Sequence, residues 1–185
     1  MPALLPSQIV VLVDTREQLP YDFTAAGFRM ESATLKHGDY SVKGMERFIA
    51  LERKSVDDLL ACMTTQRERF ETELLALRGY RYRAIVVEYN LDKLLSGLWA
   101  NDMRNPKRND PAIHSIRSRM KWESAQGTIA AWAVRYCPIL FTGNRDAGQQ
   151  MAQRLIWEAA EAVYAPIAHL APAQVSPDPP PQGKA

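Results

Sequence analysis

The feature that most constrains the fold is a continuous apolar run at residues 9–13, rich in β-branched side chains. A strand with this composition is buried on both faces, because a strand with one solvent-exposed face alternates apolar and polar residues. Further along the chain, candidate strands come first in a cluster and then alternate with helical patterns. This order predicts an α/β fold with a central mixed β-sheet and helices packed on both of its faces.

Local patterns give the expected positions of these elements. Strands are predicted at 8–13, 28–35, 40–42, 47–53, 82–89 and 138–142. Helices are predicted after an N-cap at Ser55, at 66–78, at 91–99, from about 110 to 136 with a break near Gly127, and after an N-cap at Asn144. Six of the twelve prolines lie at 166–181. We therefore expect one folded domain at 1–165 and a proline-rich, disordered tail at 166–185.

Composition fits one intracellular domain. A chain of 185 residues can bury a sizeable core. Its two cysteines, Cys62 and Cys137, lie in apolar stretches and form no paired framework. Together with the lack of a signal-peptide pattern, they predict a reducing intracellular location, cytoplasmic in a bacterium or phage. No Cys/His spacing indicates zinc, and no apolar run approaches the length of a membrane span.

Two acidic residues and a lysine form the clearest candidate for a catalytic site. Asp39 follows Gly38 in a predicted turn, and Glu52 and Lys54 lie at the end of a predicted strand. Side chains alternate faces along a strand, so Glu52 and Lys54 point the same way and Arg53 points opposite. Carboxylates bind hard divalent cations, and a lysine can orient a water or neutralise developing charge. The combination predicts a divalent-metal phosphodiesterase.

These residues also have simpler explanations. Aspartate is common in turns, so Asp39 alone would be interpreted as a turn residue. Glu52 and Lys54 alone could form an exposed ion pair at a strand end, which contributes little stability. The shared face of Glu52 and Lys54, directly after an apolar stretch, favours the catalytic interpretation.

The acidic residues belong to a longer pattern. The chain reads D-x-R-E at 14–17, G-D-Y at 38–40 and E-R-K-x-x-x-D at 52–58. These three ordered blocks, each beside a predicted strand, closely resemble the nuclease domain of the XPF family of structure-specific endonucleases, a branch of the PD-(D/E)XK superfamily. The resemblance spans residues 9 to about 63 and extends towards the strand that ends at Glu88.

The resemblance implies a restriction-endonuclease-like core and a DNA endonuclease that depends on Mg²⁺ or Mn²⁺. It implies that Asp39 and Glu52 bind the metal, with Asp14 as a third carboxylate, and that Lys54 positions or activates the attacking water. Whether the site binds one metal ion or two stays open. The implied products carry a 5′-phosphate and a 3′-hydroxyl. The resemblance also implies four supporting residues in the active site: Arg16, Glu17, Arg53 and Asp58.

Several of these supporting residues have structural alternatives. Ser55 and Asp58 have the spacing of a helix capping box, so Asp58 could cap a helix, support the site, or do both. Asp14, Arg16 and Glu17 could instead form a salt-bridged loop. Glu88 also ends a predicted strand, but the pattern assigns it no definite role.

DNA contacts must come from local clusters, because the net charge is only +2. Arg67 could contact a phosphate or pair with Glu71 one helical turn away. The stretch 104–121 holds six basic residues against one acidic residue. Such a run is by default a solvated surface, and a nuclease site elsewhere in the chain favours phosphate contact. The predicted DNA-binding residues of this stretch are Arg104, Lys107, Arg108, Arg117, Arg119 and Lys121.

The sequence thus predicts a Mg²⁺-dependent endodeoxyribonuclease that acts on branched or flap DNA in repair or recombination. The alternatives are a non-catalytic DNA-binding or scaffold subunit and a general duplex nuclease. XPF-type enzymes usually carry a tandem helix-hairpin-helix module after the nuclease domain, and no such G-x-G hairpin pair follows here. We therefore expect a stand-alone nuclease domain that works as a homodimer or with a DNA-binding partner. The apolar stripe at 152–163 could offer a dimer surface, although core packing is its commoner use.

Overall fold

The computed structural model describes residues 4–96 and 121–168. Most of the predicted DNA-binding stretch therefore lies outside the described residues, namely Arg104, Lys107, Arg108, Arg117 and Arg119. The greater part of the predicted tail, from residue 169 onwards, also lies outside them.

A six-stranded mixed sheet forms the centre of the fold. Its strand order is β2-β1-β3-β4-β5-β6, with β3 antiparallel to both β1 and β4 and the remaining neighbours parallel. This arrangement confirms the predicted mixed sheet. The strands are β1 Val10–Asp14, β2 Arg29–Ala33, β3 Tyr40–Val42, β4 Ile49–Lys54, β5 Tyr82–Val87 and β6 Ile139–Phe141.

Helices cover both faces of the sheet, as the buried character of β1 requires. One apolar cluster joins Ala50 and Ile85 to helical residues between Leu59 and Trp132, and a second joins Ile49 and Leu51 to helical residues between Ala152 and Ala160. Alternation along β4 thus sends successive side chains into different layers. The helices are α1 Val56–Met63, α2 Arg67–Leu77, α3 Leu91–Leu95, α4 Trp122–Arg135 and α5 Arg145–Ala168.

The predicted helix caps at Ser55 and Asn144 are confirmed, whereas the predicted break near Gly127 is wrong. Ser55 Oγ accepts from Asp58 N at 3.2 Å, and Asn144 Oδ1 accepts from Ala147 N at 2.9 Å. Gly127 does not break α4, because a glycine inside a helix costs only about 1 kcal/mol relative to alanine. Helix α5 runs to residue 168, so its last turn, with Pro166 inside it, reaches into the predicted proline-rich tail.

Cysteines and tryptophans contribute to the core. Cys62 and Cys137 are free and buried in the first apolar cluster. Trp132 lies in the same cluster, while Trp157 packs against the second, so both indole rings contribute to the core. Within residues 4–96 and 121–168, no helix is long and apolar enough to cross a membrane.

The apolar stripe of α5 is part of the core. Ala152, Ile156 and Ala159 are buried against the sheet, and Leu155 and Val163 pack beside them. The suggestion that this stripe is a dimer surface is therefore wrong, because the face is already covered within one chain.

Replacing Ile156, which is 0% exposed, tests this packing. Ile156→Ala should lower the free energy of unfolding by about 2–5 kcal/mol, because it removes buried methyl groups and leaves a cavity. Met151→Ala on the same helix, where the native side chain is exposed, should change it by about 0.5 kcal/mol or less. Urea unfolding of the two variants measures both values, and equal small losses would contradict the core assignment.

Candidate active site

The predicted site residues meet at one edge of the sheet. Strands β1, β4 and β5 run in the same direction, so Asp14, Lys54 and Glu88 lie at neighbouring strand ends, and Asp39 directly precedes the antiparallel β3 among them. Backbone hydrogen bonds tie these ends together: Asp14 N donates to Asp39 O at 2.8 Å, and Glu88 N donates to Lys54 O at 2.9 Å. The sheet thus brings together residues far apart in the sequence.

Gly38 allows Asp39 to lie against β4. Its φ is +79°, and a Cβ there would lie 2.9 Å from Leu51 O and 3.3 Å from Ala50 Cβ. The next residue, Asp39, donates its backbone N–H to Leu51 O at 2.8 Å. Only glycine fits this left-handed turn without displacing the β4 backbone.

Asp39 and Glu52 form a crowded pair of carboxylates. Asp39 Oδ2 accepts the backbone N–H of Arg53 at 2.7 Å. Burial, followed by repulsion from Glu52, raises the pKa of Asp39 to about 7. The pair therefore carries negative charge in a poorly solvated environment. Asp39 Oδ1 is the oxygen that has no hydrogen-bond donor among the described residues.

Glu52 and Lys54 share a face, as strand alternation predicts. Lys54 Nζ donates to Glu52 Oε1, and it also lies 5.1 Å from the centre of the Phe70 ring. The two charged side chains are only 12–13% exposed, so they do not form the exposed strand-end pair of the simpler explanation. Burial opposes the ammonium charge, but Glu52 outweighs it and raises the pKa of Lys54. Lys54 is therefore a cation and a hydrogen-bond donor.

Asp14 has a different environment from the other two carboxylates. Its buried carboxylate accepts from Arg16 N and Nε at one oxygen, and from Arg16 Nη2 and Leu35 N at the other. Burial acts to raise its pKa, but these hydrogen bonds outweigh burial and lower it. With both oxygens engaged, Asp14 holds Arg16 in place. The geometry favours this salt-bridged role over the predicted role of Asp14 as a third metal ligand.

Arg16 is fixed yet accessible. Besides its ion pair with Asp14, its Nη2 donates to Leu35 O at 3.0 Å, while 68% of its side chain is exposed. The hydrogen bond and charge of Asp14 raise the pKa of Arg16, and the charges of Asp39 and Glu52 add to this to a smaller extent.

A second set of charges lies on the opposite face of β4. Arg53 donates to Glu17 through Nε and Nη2 at 3.0 and 3.1 Å, and to Glu88 through Nη1 at 3.0 Å. Glu88 also accepts from Arg145 Nη1 at 3.1 Å. Glu17 and Arg53 are therefore paired as supporting residues, and Glu88 joins them. Arg145 was missed, because nothing in the sequence marks the first residue of a distant helix.

Two other predicted residues have structural roles here. Asp58 is exposed at the start of α1, where its carboxylate accepts from Ser55 Oγ at 2.6 Å, as a cap residue does. Arg67 pairs with Glu71 at 3.0 Å and reaches Thr128 Oγ1 at 3.3 Å, so the pairing alternative is the one that the structure contains. Lys121 is exposed at the residue before α4.

The donor set fits a small divalent cation. Among the described residues, no group of three or more carboxylate, histidine or cysteine side chains could hold a metal. Asp39 and Glu52 supply two hard oxygen ligands, and Mg²⁺ commonly binds through one or two carboxylates while retaining waters. A cation between them would also offset the repulsion that raises the Asp39 pKa.

Comparisons with known proteins agree with this architecture. The ERCC4 domain matches residues 13–155. The chain is 30% identical over 134 residues to the DNA repair protein RAD1 of Saccharomyces cerevisiae, covering 70% of this chain and 12% of RAD1. It is 29% identical over 129 residues to the DNA repair endonuclease UVH1 of Arabidopsis thaliana, covering 64% of this chain and 13% of UVH1. The chain thus spans about an eighth of these relatives.

Solved structures show the same fold. XPF from Aeropyrum pernix superposes with a TM-score of 0.56 at 17% identity, covering 87% of this chain and 69% of that one. XPF from Aeropyrum pernix in complex with DNA gives a TM-score of 0.54 at 20% identity, covering 85% and 66%. The predicted α/β restriction-endonuclease-like core is confirmed.

The raised pKa of Asp39 predicts a pH dependence of stability in the metal-free protein. The folded state holds this proton more tightly than the unfolded chain, so the contribution favours folding below pH 3.8 and is lost as the pH rises to about 7. Asp39→Asn cannot titrate, so its stability relative to the unchanged protein should increase over that range. Asp14 and Glu17 have lowered pKa values, so their contributions are lost only at more acidic pH.

Urea unfolding in a chelator, at about pH 5 and about pH 8, measures this difference. The exposed Asp92→Asn is the matched control and should show no such increase. An Asp39→Asn variant whose relative stability is the same at both pH values would contradict the crowded-pair description.

Proposed function

The chain belongs to the ERCC4 domain family, and from that membership we propose that it is a metal-dependent endonuclease that hydrolyses phosphodiester bonds in DNA. The observation that carries the proposal is the desolvated pair Asp39 and Glu52 with the Lys54 ammonium on the same face. The relationship to a DNA repair protein and a DNA repair endonuclease supports the substrate class.

Asp39 and Glu52 would hold Mg²⁺ or Mn²⁺. When bound, the divalent ion supplies positive charge that polarises the scissile phosphate. The protein's contribution is to keep both carboxylates in place, through the Arg53 N–H on Asp39 and the Lys54 ammonium on Glu52. Asp14 remains with Arg16 and is not needed as a ligand.

Lys54 acts as a charged donor. Because its pKa is raised, it cannot accept a proton from water at neutral pH. Its Nζ instead orients the attacking water and stabilises negative charge on the phosphate. The water oxygen bonds to phosphorus as the bond to the 3′ oxygen breaks. The attacking water releases one proton to solvent, and the leaving 3′ oxygen takes up one proton from solvent. The products carry a 5′-phosphate and a 3′-hydroxyl.

Arg16 binds the substrate phosphate beside this pair. A guanidinium that is anchored on one side by Asp14 and 68% exposed can donate to phosphate oxygens without first being ordered. It also brings positive charge next to two carboxylates that would otherwise repel DNA. Asp14 then assists the reaction through Arg16.

The proposed substrate is branched or flap DNA in repair or recombination. The related XPF solved in complex with DNA supports DNA as the ligand. One small domain contacts few phosphates, so we propose that a second copy or a DNA-binding partner holds the other arm of a branch. A non-catalytic scaffold subunit is the alternative, and the intact Asp39, Glu52 and Lys54 arrangement argues against it.

Substitutions in the site test the activity. Asp39→Asn should abolish Mg²⁺-dependent cleavage of a labelled flap while leaving DNA affinity nearly unchanged, because it removes a charged ligand but keeps the shape. Lys54→Ala should lower kcat on the order of a hundredfold, as the loss of one electrostatic stabiliser does. The control is Lys43→Ala, which removes an exposed lysine paired with Glu31.

The assay uses flap, fork, junction and plain duplex, each with Mg²⁺ and with chelator, and light scattering at the same protein concentration. Full cleavage by Asp39→Asn would remove the ligand assignment. Binding without cleavage by the unchanged protein on every substrate would support the scaffold alternative. Equal rates on flap and duplex would support a general nuclease. A strict monomer with a strong flap preference would contradict the need for a second copy or partner.

A further inference from the structure

Arg145, the first residue of α5, joins this helix to two separate parts of the site edge, the end of β5 and the loop after β1. Its Nη1 donates to Glu88 Oε1 at 3.1 Å, and its Nη2 donates to Leu19 O at 2.9 Å and Pro20 O at 2.8 Å. Its guanidinium also lies 5.1 Å from the centre of the Tyr21 ring. One side chain thus fixes the end of β5 and the loop after β1, including a buried aromatic residue.

These contacts continue to the carboxylate pair through two further residues. The other oxygen of Glu88, Oε2, accepts a hydrogen bond from Arg53 Nη1 at 3.0 Å. Glu17 accepts a hydrogen bond from Nε of the same guanidinium. The same residue, Arg53, donates its backbone N–H to Asp39 Oδ2 at 2.7 Å. Arg53 also lies between Glu52 and Lys54 in the strand, so its orientation sets theirs.

Close packing holds Arg145 at this position. A Cβ at Gly148, one turn into α5, would lie 2.5 Å from Tyr21 Oη and 3.3 Å from Glu88 Cγ. Tyr21 is 1% exposed and stacks on Tyr40 at 5.5 Å between ring centres, so it has little freedom to move away. The first turn of α5 therefore fits directly against Tyr21 and Glu88, the partner of Arg53.

We propose that Arg145 is a positioning residue, which acts through Glu88 and Arg53 to keep Asp39, Glu52 and Lys54 in their reactive arrangement. This inference rests on the proposed nuclease function. Without Arg145, Glu88 loses one of its two cations and the residue 19–20 carbonyls lose a donor. Arg53 can then shift towards the vacated side, and its N–H no longer fixes Asp39.

Kinetics of Arg145→Ala test the proposal. We expect kcat on a labelled flap to fall on the order of ten- to a hundredfold with KM nearly unchanged, because small displacements of reacting groups have effects of this size. Arg154→Ala, an exposed arginine on the same helix, should leave both constants unchanged. Arg145→Lys keeps a positive charge beside Glu88 and should recover part of the lost turnover. All rates are expressed per folded molecule, from unfolding curves measured at the assay temperature.

A second measurement does not depend on activity. The backbone N–H of Arg53 reports its hydrogen bond to Asp39 through its NMR shift and its hydrogen-exchange rate. We expect faster exchange in Arg145→Ala than in Arg154→Ala. If Arg145→Ala does not fold, Glu88→Gln should show the same exchange and kinetic changes, because it weakens the link while keeping the side-chain shape.

The outcomes separate the two claims. An Arg53 amide in Arg145→Ala that matches the Arg154→Ala control, or a kcat per folded molecule that matches it, would overturn the positioning role. An unchanged protein that cuts no DNA would overturn the proposed function, and the Arg53 exchange rate would still decide whether Arg145 holds the site edge.

Discussion

The site depends on Arg53, which forms hydrogen bonds through both its backbone N–H and its guanidinium. Its backbone N–H orients Asp39, while its guanidinium lies between Glu17 and Glu88 on the other face of β4. A strand alternates its side chains, so fixing Arg53 on one face fixes Glu52 and Lys54 on the opposite face. The sheet therefore separates a layer of matched charges, which hold the backbone, from a layer in which two carboxylates, Asp39 and Glu52, share one ammonium, that of Lys54.

The energetics of the two layers differ accordingly. Buried ion pairs contribute little net stability, but removing one partner commonly costs about 3–5 kcal/mol because the other charge is left unpaired. The Arg53 group is 10% exposed and its partners are 5% and 11% exposed, so this penalty applies to them. The layer thus resists rearrangement. Asp39 and Glu52, in contrast, repel each other, and a cation would relieve that repulsion.

Much of this arrangement could be predicted from the sequence. The β1 run, the turn at Gly38 and the register of Glu52 and Lys54 depend on local patterns, and the structure contains all three. Contacts between residues far apart in the sequence were harder to predict. Arg145 contacts Glu88 from 57 positions away, and the sequence does not show that Arg16 and Leu35 donate to both oxygens of Asp14. The Gly127 break was wrong because packing outweighs a small propensity cost.

The most direct test of the account is the position of a bound cation. Crystals grown with Mn²⁺ would show it by anomalous scattering, without any assay of activity. We predict a peak ligated by Asp39 and Glu52, with Asp14 still paired to Arg16. A peak ligated by Asp14 with Arg16 displaced, or no peak at Asp39 and Glu52, would contradict the separation of roles on which the account depends.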